Sequence, residues 1–262
     1  MDEKRWRPAL GELLAQLADD DLVTAFRASE WLGLAPHLEE DVAWSSIAQD
    51  EMGHAAMYFS LLEQLGFGSA DDLAHLRGPA DRRNSVLLER PNGPGTYLDQ
   101  PRFDWAYALA RQYLYDTLEA LRLDGLVESS YRPLAELAAK IRREERYHAL
   151  HHATWLEEVA QAGGEASERL RHAFVRAAAD AGDLADTSGW AREWEESGLW
   201  PDASELPAAW AHQVERELSH WGLVLPPVAS VHNGRAGEHS PDLASVIAQL
   251  SDVYRTDPVA SW

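Results

Sequence analysis

The chain has 262 residues, 45% of them hydrophobic, which fits one large domain or one domain with a tail. Its net charge of −21 argues against a general binding surface for nucleic acids or anionic membranes. The absence of cysteine excludes disulfides, thiolate metal sites, Fe–S clusters and cysteine nucleophiles. No apolar signal region follows the first residues, and no apolar run reaches about 18 residues, so we expect no membrane span. The absence of cysteine is compatible with a cytoplasmic location.

The first predicted helix starts at Pro8, because proline is tolerated at the first helical position, and ends at a turn around residues 34–36. Its apolar residues recur with a helical period, and one position of this buried stripe is a carboxylate, Asp21. Asp19 and Asp20 fall off the stripe. We therefore expect these two acids to be solvated, or to mark a local break in the helix.

The second predicted helix begins near residues 37–40, whose acidic side chains suit the positive end of a helix dipole. It ends at the glycines of residues 66–68. Its stripe contains Glu51 and His54, which lie three residues apart. On a helix this spacing puts both side chains on one face, about one turn apart.

A long connection, residues 67–102, follows and contains a short helical piece around residues 71–76. Its length fits a crossover between two helical hairpins. The third predicted helix spans residues 103–129, where Asp116 is a single carboxylate in an apolar line. Glu119, one turn further on, is the alternative to Asp116 as the functional carboxylate of this helix.

The fourth predicted helix starts near Pro133 and stops at the glycines of residues 163–164. Its stripe carries Glu145 and His148, which repeat the Glu-x-x-His spacing of the second helix. Two such pairs on inward-facing helices, with one carboxylate from each of two further helices, make a ferritin-like di-metal site.

The remainder of the chain is predicted to form accessory helices of the same domain. Two helices are predicted at residues 167–181 and 207–221. A linker follows at residues 222–239, and a short final helix follows Pro241. No convincing strand alternation occurs. The sequence therefore predicts an all-α, ferritin-like four-helix bundle in residues 1–166, with the accessory segment in residues 167–262.

The two halves of the bundle repeat each other. Asp21 and Glu51 are 30 residues apart, and Asp116 and Glu145 are 29 apart. In an antiparallel hairpin, Asp21 and Glu51 would lie at the same height, whereas Glu30 would lie about 14 Å from that level at the helical rise per residue. We therefore exclude Glu30 as a ligand and expect it to pack or pair at the helix end.

The predicted ligand set consists of four carboxylates and two imidazoles that two metal ions would share. Its members are Asp21, Glu51, His54, Asp116, Glu145 and His148. Oxygen and imidazole donors without thiolate suit iron or manganese better than a closed zinc site, and copper fits less well. The zincin pattern is absent, since no glutamate follows His148 in the pair with His152. The alternative is a buried hydrogen-bond network in which the acids pair with arginines such as Arg27, Arg111 or Arg142.

Other polar and aromatic residues receive structural interpretations. Four histidines are expected to cap, pack or face solvent: His75, His151, His152 and His172. Three tyrosines near the centre are expected to pack in the core: Tyr58, Tyr113 and Tyr115. The basic spots at Arg82-Arg83 and around Arg142 are expected to form salt bridges, with an anionic ligand or a docked partner as the alternative.

Several segments carry a family resemblance that covers nearly the whole chain. They are residues 30–41, 87–93, 110–113, 145–148 and 234–250. These segments resemble the structural C-type subunit of ring-1,2-phenylacetyl-CoA epoxidases (phenylacetate-CoA oxygenases), which are bacterial multicomponent monooxygenases with ferritin-like subunits. Residues 49–54 are also similar to the matching helix of the catalytic A-type subunit, where the glutamate and histidine bind iron. The other predicted ligands fall where that subunit has its own, with a glutamate at the place of Asp21.

The resemblance implies a cytoplasmic hetero-oligomer. A core of A-type and C-type subunits would assemble with small B-type and D-type proteins, and a flavin/Fe–S reductase would supply electrons. The catalytic partner would activate O2 at di-iron and epoxidise the phenyl ring of phenylacetyl-CoA. The first hypothesis is thus a non-catalytic scaffold subunit whose own di-metal site is either vestigial or occupied, and the second is a di-iron oxygenase in its own right. Iron storage is a weaker third hypothesis, because nothing indicates a cage-forming surface.

Overall fold

A computed structural model describes residues 3–260, and over this range the chain is all-α, as a ferritin-like helical bundle requires. The α-helices are α1 (Glu3–Ser29), α2 (Leu38–Gln64), α3 (Ala70–His75), α4 (Val86–Glu89), α5 (Trp105–Leu126), α6 (Arg132–Ala162), α7 (Gly164–Ala178), α8 (Ala191–Ser197), α9 (Leu206–His220) and α10 (Pro241–Thr256). Short 3-10 turns occupy Pro79–Asp81, Ala203–Glu205 and Gly234–Ala236. Within the described range, no helix is long and apolar enough to cross a bilayer.

The chain forms two compact units. The first unit consists of Arg7–Pro91 together with the segment from His232 onward, so it contains most of α1, then α2 to α4, and α10. The second unit consists of Asn92–Val231 with the residues up to Trp6, and it contains α5 to α9. The predicted division into residues 1–166 and 167–262 stays a prediction.

In the first unit, α1 and α2 form the predicted antiparallel hairpin. The guanidinium of Arg7, near the start of α1, donates to the carbonyl of Leu65 just after α2, at 3.0 Å. At the other end the rings of Trp31 and Trp44 meet edge to face, with centroids 6.0 Å apart. Contacts at both ends therefore fix the register of the two helices.

Helix α1 is buried on nearly all of its faces, with residues such as Leu10, Leu14 and Leu17 fully inaccessible. A helix that is buried around most of its circumference belongs to a core rather than to a surface, although α1 also carries buried polar residues. The predicted start at Pro8 is wrong, because the helix already begins at Glu3 and Pro8 lies inside it. An internal proline removes one backbone hydrogen bond, and here the helix continues through it.

The prediction that Asp19 and Asp20 are solvated is also wrong, since both are completely buried. The Asp19 carboxylate accepts from Arg77 at 3.0 Å and from the backbone N–H of Arg83 at 2.9 Å. Asp20 accepts from Arg235 at 2.7 Å. An apolar stripe separates buried from exposed positions only on a helix with one exposed face, and α1 has hardly any exposed face.

In the second unit, α5 packs against α6, α7 and α9. The indole of Trp210 on α9 donates to the carbonyl of Leu114 at 3.0 Å. The hydroxyl of Tyr113 donates to Glu217 at 2.9 Å, and its ring meets Phe174 edge to face. Burial, followed by the charge of Glu217, raises the pKa of the Tyr113 phenol, which stays protonated. Core packing is thus confirmed for this tyrosine.

Apart from the start of α1, the long helices match their predicted spans to within a few residues, as do α3, α7, α9 and α10. Two short helices, α4 and α8, were not predicted. The α4 segment lies inside the predicted crossover connection, residues 67–102, and all four of its residues are buried. A helix of four residues is too short to show a period, so the sequence gives no signal for it.

Candidate metal centre

Three of the six predicted ligands come together in the first unit. Asp21 on α1 and Glu51 and His54 on α2 each offer a donor atom, and these atoms all lie within 4.8 Å of one another. All three residues are at most 1% exposed. The antiparallel hairpin brings Asp21 to the level of Glu51, as predicted from the equal distance of both residues from the turn.

The local sequence of α2 explains how the pair is presented. Because Glu51 and His54 are three residues apart, they share the inward face of the helix, and Nδ1 of His54 lies 3.7 Å from a carboxylate oxygen of Glu51. Between them, Met52 and Gly53 point outward and are exposed. The inward face continues with Tyr58, which is fully buried.

The donor chemistry of Asp21, Glu51 and His54 fits a divalent transition metal. Carboxylate oxygen and imidazole nitrogen bind such ions at about 2.0–2.2 Å, so donors on opposite sides of one ion are about 4.2 Å apart. Their observed spread of no more than 4.8 Å accommodates an ion after small side-chain adjustments. Two carboxylates this close repel each other in a buried site, and a cation would turn this repulsion into attraction.

The second Glu-x-x-His pair lies on α6 in the second unit. The Nδ1 atom of His148 is 3.0 Å from a carboxylate oxygen of Glu145. Both side chains are buried, whereas their neighbours Arg146 and Tyr147 are exposed. The repeated spacing thus again turns a glutamate and a histidine to the buried face of a long helix.

Asp116 has a different environment, because both of its carboxylate oxygens already have partners. One oxygen lies 2.6 Å from Nδ1 of His152, and the other accepts from the amide of Gln112 at 3.0 Å. No three-donor group containing Asp116 forms among the described residues. Its neighbour Glu119 binds Arg122 at 2.8 Å.

His152, which was expected to cap, pack or face solvent, packs in the interior, but its pairing with Asp116 was not predicted. It is fully buried and is the closest polar partner of Asp116. Its position was the available signal, because it continues the α6 stripe four residues after His148. A histidine on such a stripe needs a buried polar partner, and the carboxylate of Asp116 on α5 supplies one.

The arginines named in the alternative interpretation have identifiable partners. Arg27 pairs with Glu30 at 3.0 Å, which confirms the pairing role expected for that glutamate at the end of the helix. Arg142 pairs with Asp124 at 3.0 Å on the surface. Arg111 donates to the side chain of Asn92 at 2.6 Å.

A buried network of charges surrounds α1 in the first unit. Burial alone would raise the pKa of Asp19, but the positive charges of Arg77 and Arg82 outweigh it and the pKa lies below its ordinary value. Arg82 bridges to Asp19 at 3.0 Å, which confirms the salt-bridging role expected for it. Such multiply paired groups fix the rotation of α1, and with it the direction in which Asp21 points.

The final segment of the chain takes part in this network. Arg235, only 1% exposed, donates to Asp20 and also to the backbone carbonyl of Arg83 at 2.8 Å. A few residues on, His239 lies 2.8 Å from Glu89 on α4. The segment interpreted as a linker therefore contains buried residues that anchor α1 and α4.

Comparison with known proteins gives one family and two relatives. The family model described as "Phenylacetic acid catabolic protein" matches residues 1–262. The chain is 29% identical over 249 residues to the C-type subunit of the 1,2-phenylacetyl-CoA epoxidase of Escherichia coli (strain K12), covering 94% of this chain and 96% of that relative. It is 24% identical over 143 residues to the A-type subunit of the same epoxidase and organism, covering 55% of this chain and 43% of that relative.

Proposed function

Because the chain belongs to the phenylacetic acid catabolic protein family, we propose that it is a C-type subunit of a 1,2-phenylacetyl-CoA epoxidase in phenylacetate catabolism. The observation that carries the proposal is the similarity to the C-type relative, which extends over almost the full length of both chains. The weaker similarity to the A-type relative covers only about half of this chain. The C-type role is therefore favoured over that of the catalytic subunit.

We propose that the chain works in the cytoplasm as part of a hetero-oligomer. Its direct partner would be a catalytic A-type subunit, small B-type and D-type proteins would join them, and a separate reductase would donate electrons. Its strongly negative charge suits docking on basic partner surfaces. The chain would stabilise and position the catalytic subunit.

Co-expression with the cognate A-type subunit tests this role. A tag on the present chain should recover the A-type subunit in a stable ratio, and both should elute together in size-exclusion chromatography. Epoxidation of phenylacetyl-CoA by the reductase and the A-type subunit should fall sharply when the present chain is omitted. Two proteins that elute separately, with activity unaffected by the omission, would contradict the scaffold role.

We also propose that the chain binds metal through its predicted ligands. Asp21, Glu51 and His54 would hold one ion, and their all-oxygen-and-imidazole chemistry favours iron, with manganese as the alternative. Asp116, Glu145 and His148 complete the ligand set proposed from the repeated spacing. A di-iron centre, when bound, supplies the redox chemistry with which this class of monooxygenase uses O2.

The protein's own contribution to such a site is orientation, charge and exclusion of water. Asp21 and Glu51 supply negative charge that offsets a bound cation, and their burial keeps bulk water from competing for the ion. The bonds of Asp116 to His152 and Gln112 hold its carboxylate in one orientation. Partners of this kind typically change metal affinity by about 10–100-fold when they are removed.

Elemental analysis of protein produced with iron in the medium tests the metal proposal. The parent should contain close to two ions per chain, and a Glu51→Ala, His54→Ala variant should lose metal. Glu63→Ala serves as the control, because it removes an exposed carboxylate from the same helix. A Glu145→Ala, His148→Ala variant should likewise lose metal if the second half of the ligand set is used.

A well-folded, metal-free parent protein would overturn the metal proposal and leave the scaffold role standing. The second candidate function, an oxygenase in its own right, is favoured by the buried group of Asp21, Glu51 and His54. Its test is the metal-loaded chain alone with reductase, O2 and phenylacetyl-CoA. Product formation that Glu51→Ala abolishes would support it, and activity only in the presence of the A-type subunit would assign the chemistry to that partner.

A further inference from the structure

The second unit contains a cavity of about 700 Å3 that plays no part in the proposed function. Its walls come from the loop before α5, the first turn of α5, α6 and α7. Three arginines and one histidine line it, against a single carboxylate, Asp104. This concentration of positive charge stands out in a chain with a net charge of −21. The volume falls within the range of ordinary small-molecule sites.

Helix α7 supplies most of the basic side chains. Arg169, His172 and Arg176 are separated by three and four residues, so they lie on one face of the helix, the face that lines the cavity. Arg171 on the same helix is exposed and does not line the cavity. The basic character is thus a property of one helix face.

Two carboxylates pair with arginines of the cavity, and the more exposed of these two pairs is weak. Asp104 binds Arg176 at 2.8 Å and also caps α5 by accepting from the backbone N–H of Tyr107. Arg169 pairs with Glu165 at 2.7 Å, but these side chains are 70% and 78% exposed. Exposed pairs of this kind contribute little to stability, so Arg169 can exchange Glu165 for a better partner.

Among the basic residues that line the cavity, Arg102 lies on a loop whose backbone is fixed by close contacts. Its N–H donates to the carbonyl of Pro94 at 2.8 Å, and its guanidinium makes no ion pair within the described part of the chain. The loop is tightly packed, because a Cβ atom at Gly93 would lie only 2.4 Å from the carbonyl oxygen of Arg102. The backbone that carries Arg102 is therefore held in place beside the cavity.

Two aromatic rings line the cavity. Phe103 and Trp105 line it and are half-buried. The Trp105 ring is held edge to face against Trp155, with centroids 6.3 Å apart. Half-buried rings beside guanidinium groups offer stacking to a planar group and bidentate hydrogen bonds to phosphate oxygens.

We propose that this cavity binds a nucleoside diphosphate, with the phosphates on Arg102 and Arg169 and the base on the rings of Phe103 and Trp105. Guanidinium groups match phosphate geometry, and a nucleoside supplies a planar base that can stack on the two aromatic rings. The same chemistry occurs in a free nucleotide and in the nucleotide portion of coenzyme A. The proposal does not depend on the metal content or on the proposed function.

Isothermal titration with ADP, in buffer without divalent cations, tests the proposal on the full chain. Saturable binding of one ADP per chain is expected, and Arg102→Glu and Arg169→Glu should each weaken it at least tenfold, since a hydrogen bond to a charged group contributes about 1.5–3 kcal/mol. Arg171→Glu is the matched control, because it makes the same charge change on the same helix outside the cavity, and it should leave binding within about twofold. All three positions are exposed, and circular dichroism checks that the variants remain folded.

Simpler probes separate the parts of the ligand. Adenosine and pyrophosphate should each bind much more weakly than ADP, and Phe103→Ala should weaken ADP more than pyrophosphate. Coenzyme A that displaces ADP with higher affinity would identify the thioester cofactor as the source of the nucleotide, and weaker displacement would identify a free nucleotide. Undetectable ADP binding at millimolar concentration would overturn the proposal. So would equal losses in all three arginine variants, or binding only of an acidic peptide.

Discussion

Three consecutive aspartates of α1 lie in different environments, although they are chemically identical: Asp19, Asp20 and Asp21. Successive residues of a helix point about 100° apart, so three in a row cover most of its circumference. Asp19 and Asp20 face guanidinium groups, whereas Asp21 faces the other donors of the candidate metal centre. The first two acids thus hold the helix in the rotation that the third one needs.

Replacement of Asp20 by alanine should destabilise the protein strongly. Arg235, its partner, is 1% exposed and would lose the carboxylate that balances its charge. Breaking a buried pair in this way typically costs about 3–5 kcal/mol. Urea denaturation measures the free energy of unfolding, with Glu136→Ala as the control, because the Glu136–Arg132 pair is exposed and should contribute almost nothing. Equal midpoints for the two variants would contradict the structural role of Asp20.

Asp19 should make the stability of the protein depend on pH at acid values. Its pKa in the folded state lies below the ordinary 3.8, so the folded state releases this proton more readily than the unfolded state. The resulting stabilisation is complete above pH 3.8 and is lost as pH falls from there through the folded-state pKa. Below pH 3.8, Asp19→Asn should reduce the slope of unfolding free energy against pH by up to about 1.4 kcal/mol per unit. An unchanged slope in urea titrations would refute this assignment.

At the scale of elements, two glycines within helices offer a sharp contrast. A Cβ atom at Gly125 on α5 would lie 2.3 Å from the indole nitrogen of Trp200, which is 3% exposed and stacked on Trp194. A Cβ atom at Gly53 on α2 would meet nothing within 4 Å. The first glycine permits close packing, and the second has no such requirement.

Alanine substitutions at these positions should therefore have opposite effects. Gly53→Ala should stabilise the protein by up to about 1 kcal/mol, because alanine is the better helix former. Gly125→Ala has the same gain in helix propensity, but crowding against Trp200 costs about 1–3 kcal/mol. A net loss of stability is therefore expected. Thermal unfolding of the two variants measures both effects. A Gly125→Ala protein more stable than Gly53→Ala would show that Trp200 moves aside without cost.

The long helices could be predicted from the sequence because each carries many turns of periodic apolar residues. The group of Asp21, Glu51 and His54 could be predicted because it depends only on helical spacing and on the length of one hairpin. The surroundings of Asp20 could not, because its partner Arg235 is 215 residues away in a segment without a periodic pattern. Likewise, Asp116 lies against His152 through the packing of α5 on α6, which spacing within one helix does not specify.

At the scale of the molecule, the first unit is built from two distant parts of the chain. Residues after His232 bring Arg235 to Asp20, and they bring His239 and the backbone N–H of Ser240 to the carboxylate of Glu89. Buried acids on α1 and α4 thus receive their partners from the last thirty or so residues. The final segment belongs to the core of this unit as much as α1 does.

A chain ended after Val231 should therefore fail to form a stable first unit. It would leave Asp20 and Glu89 without these buried partners, and each such loss typically costs about 3 kcal/mol or more. The expected result is a low unfolding midpoint and increased binding of a hydrophobic dye, while a chain ended after Thr256 should behave like the parent. A cooperative transition at the parental midpoint in the shorter chain would contradict the prediction.

The same arrangement has a consequence for biosynthesis. During translation, Asp20 leaves the ribosome 215 residues before Arg235 does. At a typical elongation rate of about 5–20 residues per second, the buried acids of α1 wait for at least ten seconds or so before their partners exist. The second unit consists almost entirely of the continuous run Asn92–Val231, so it can fold in that interval. We therefore expect chaperones to protect the α1 segment of the nascent chain until its partners are made, although α1 becomes one of the most buried helices of the folded protein.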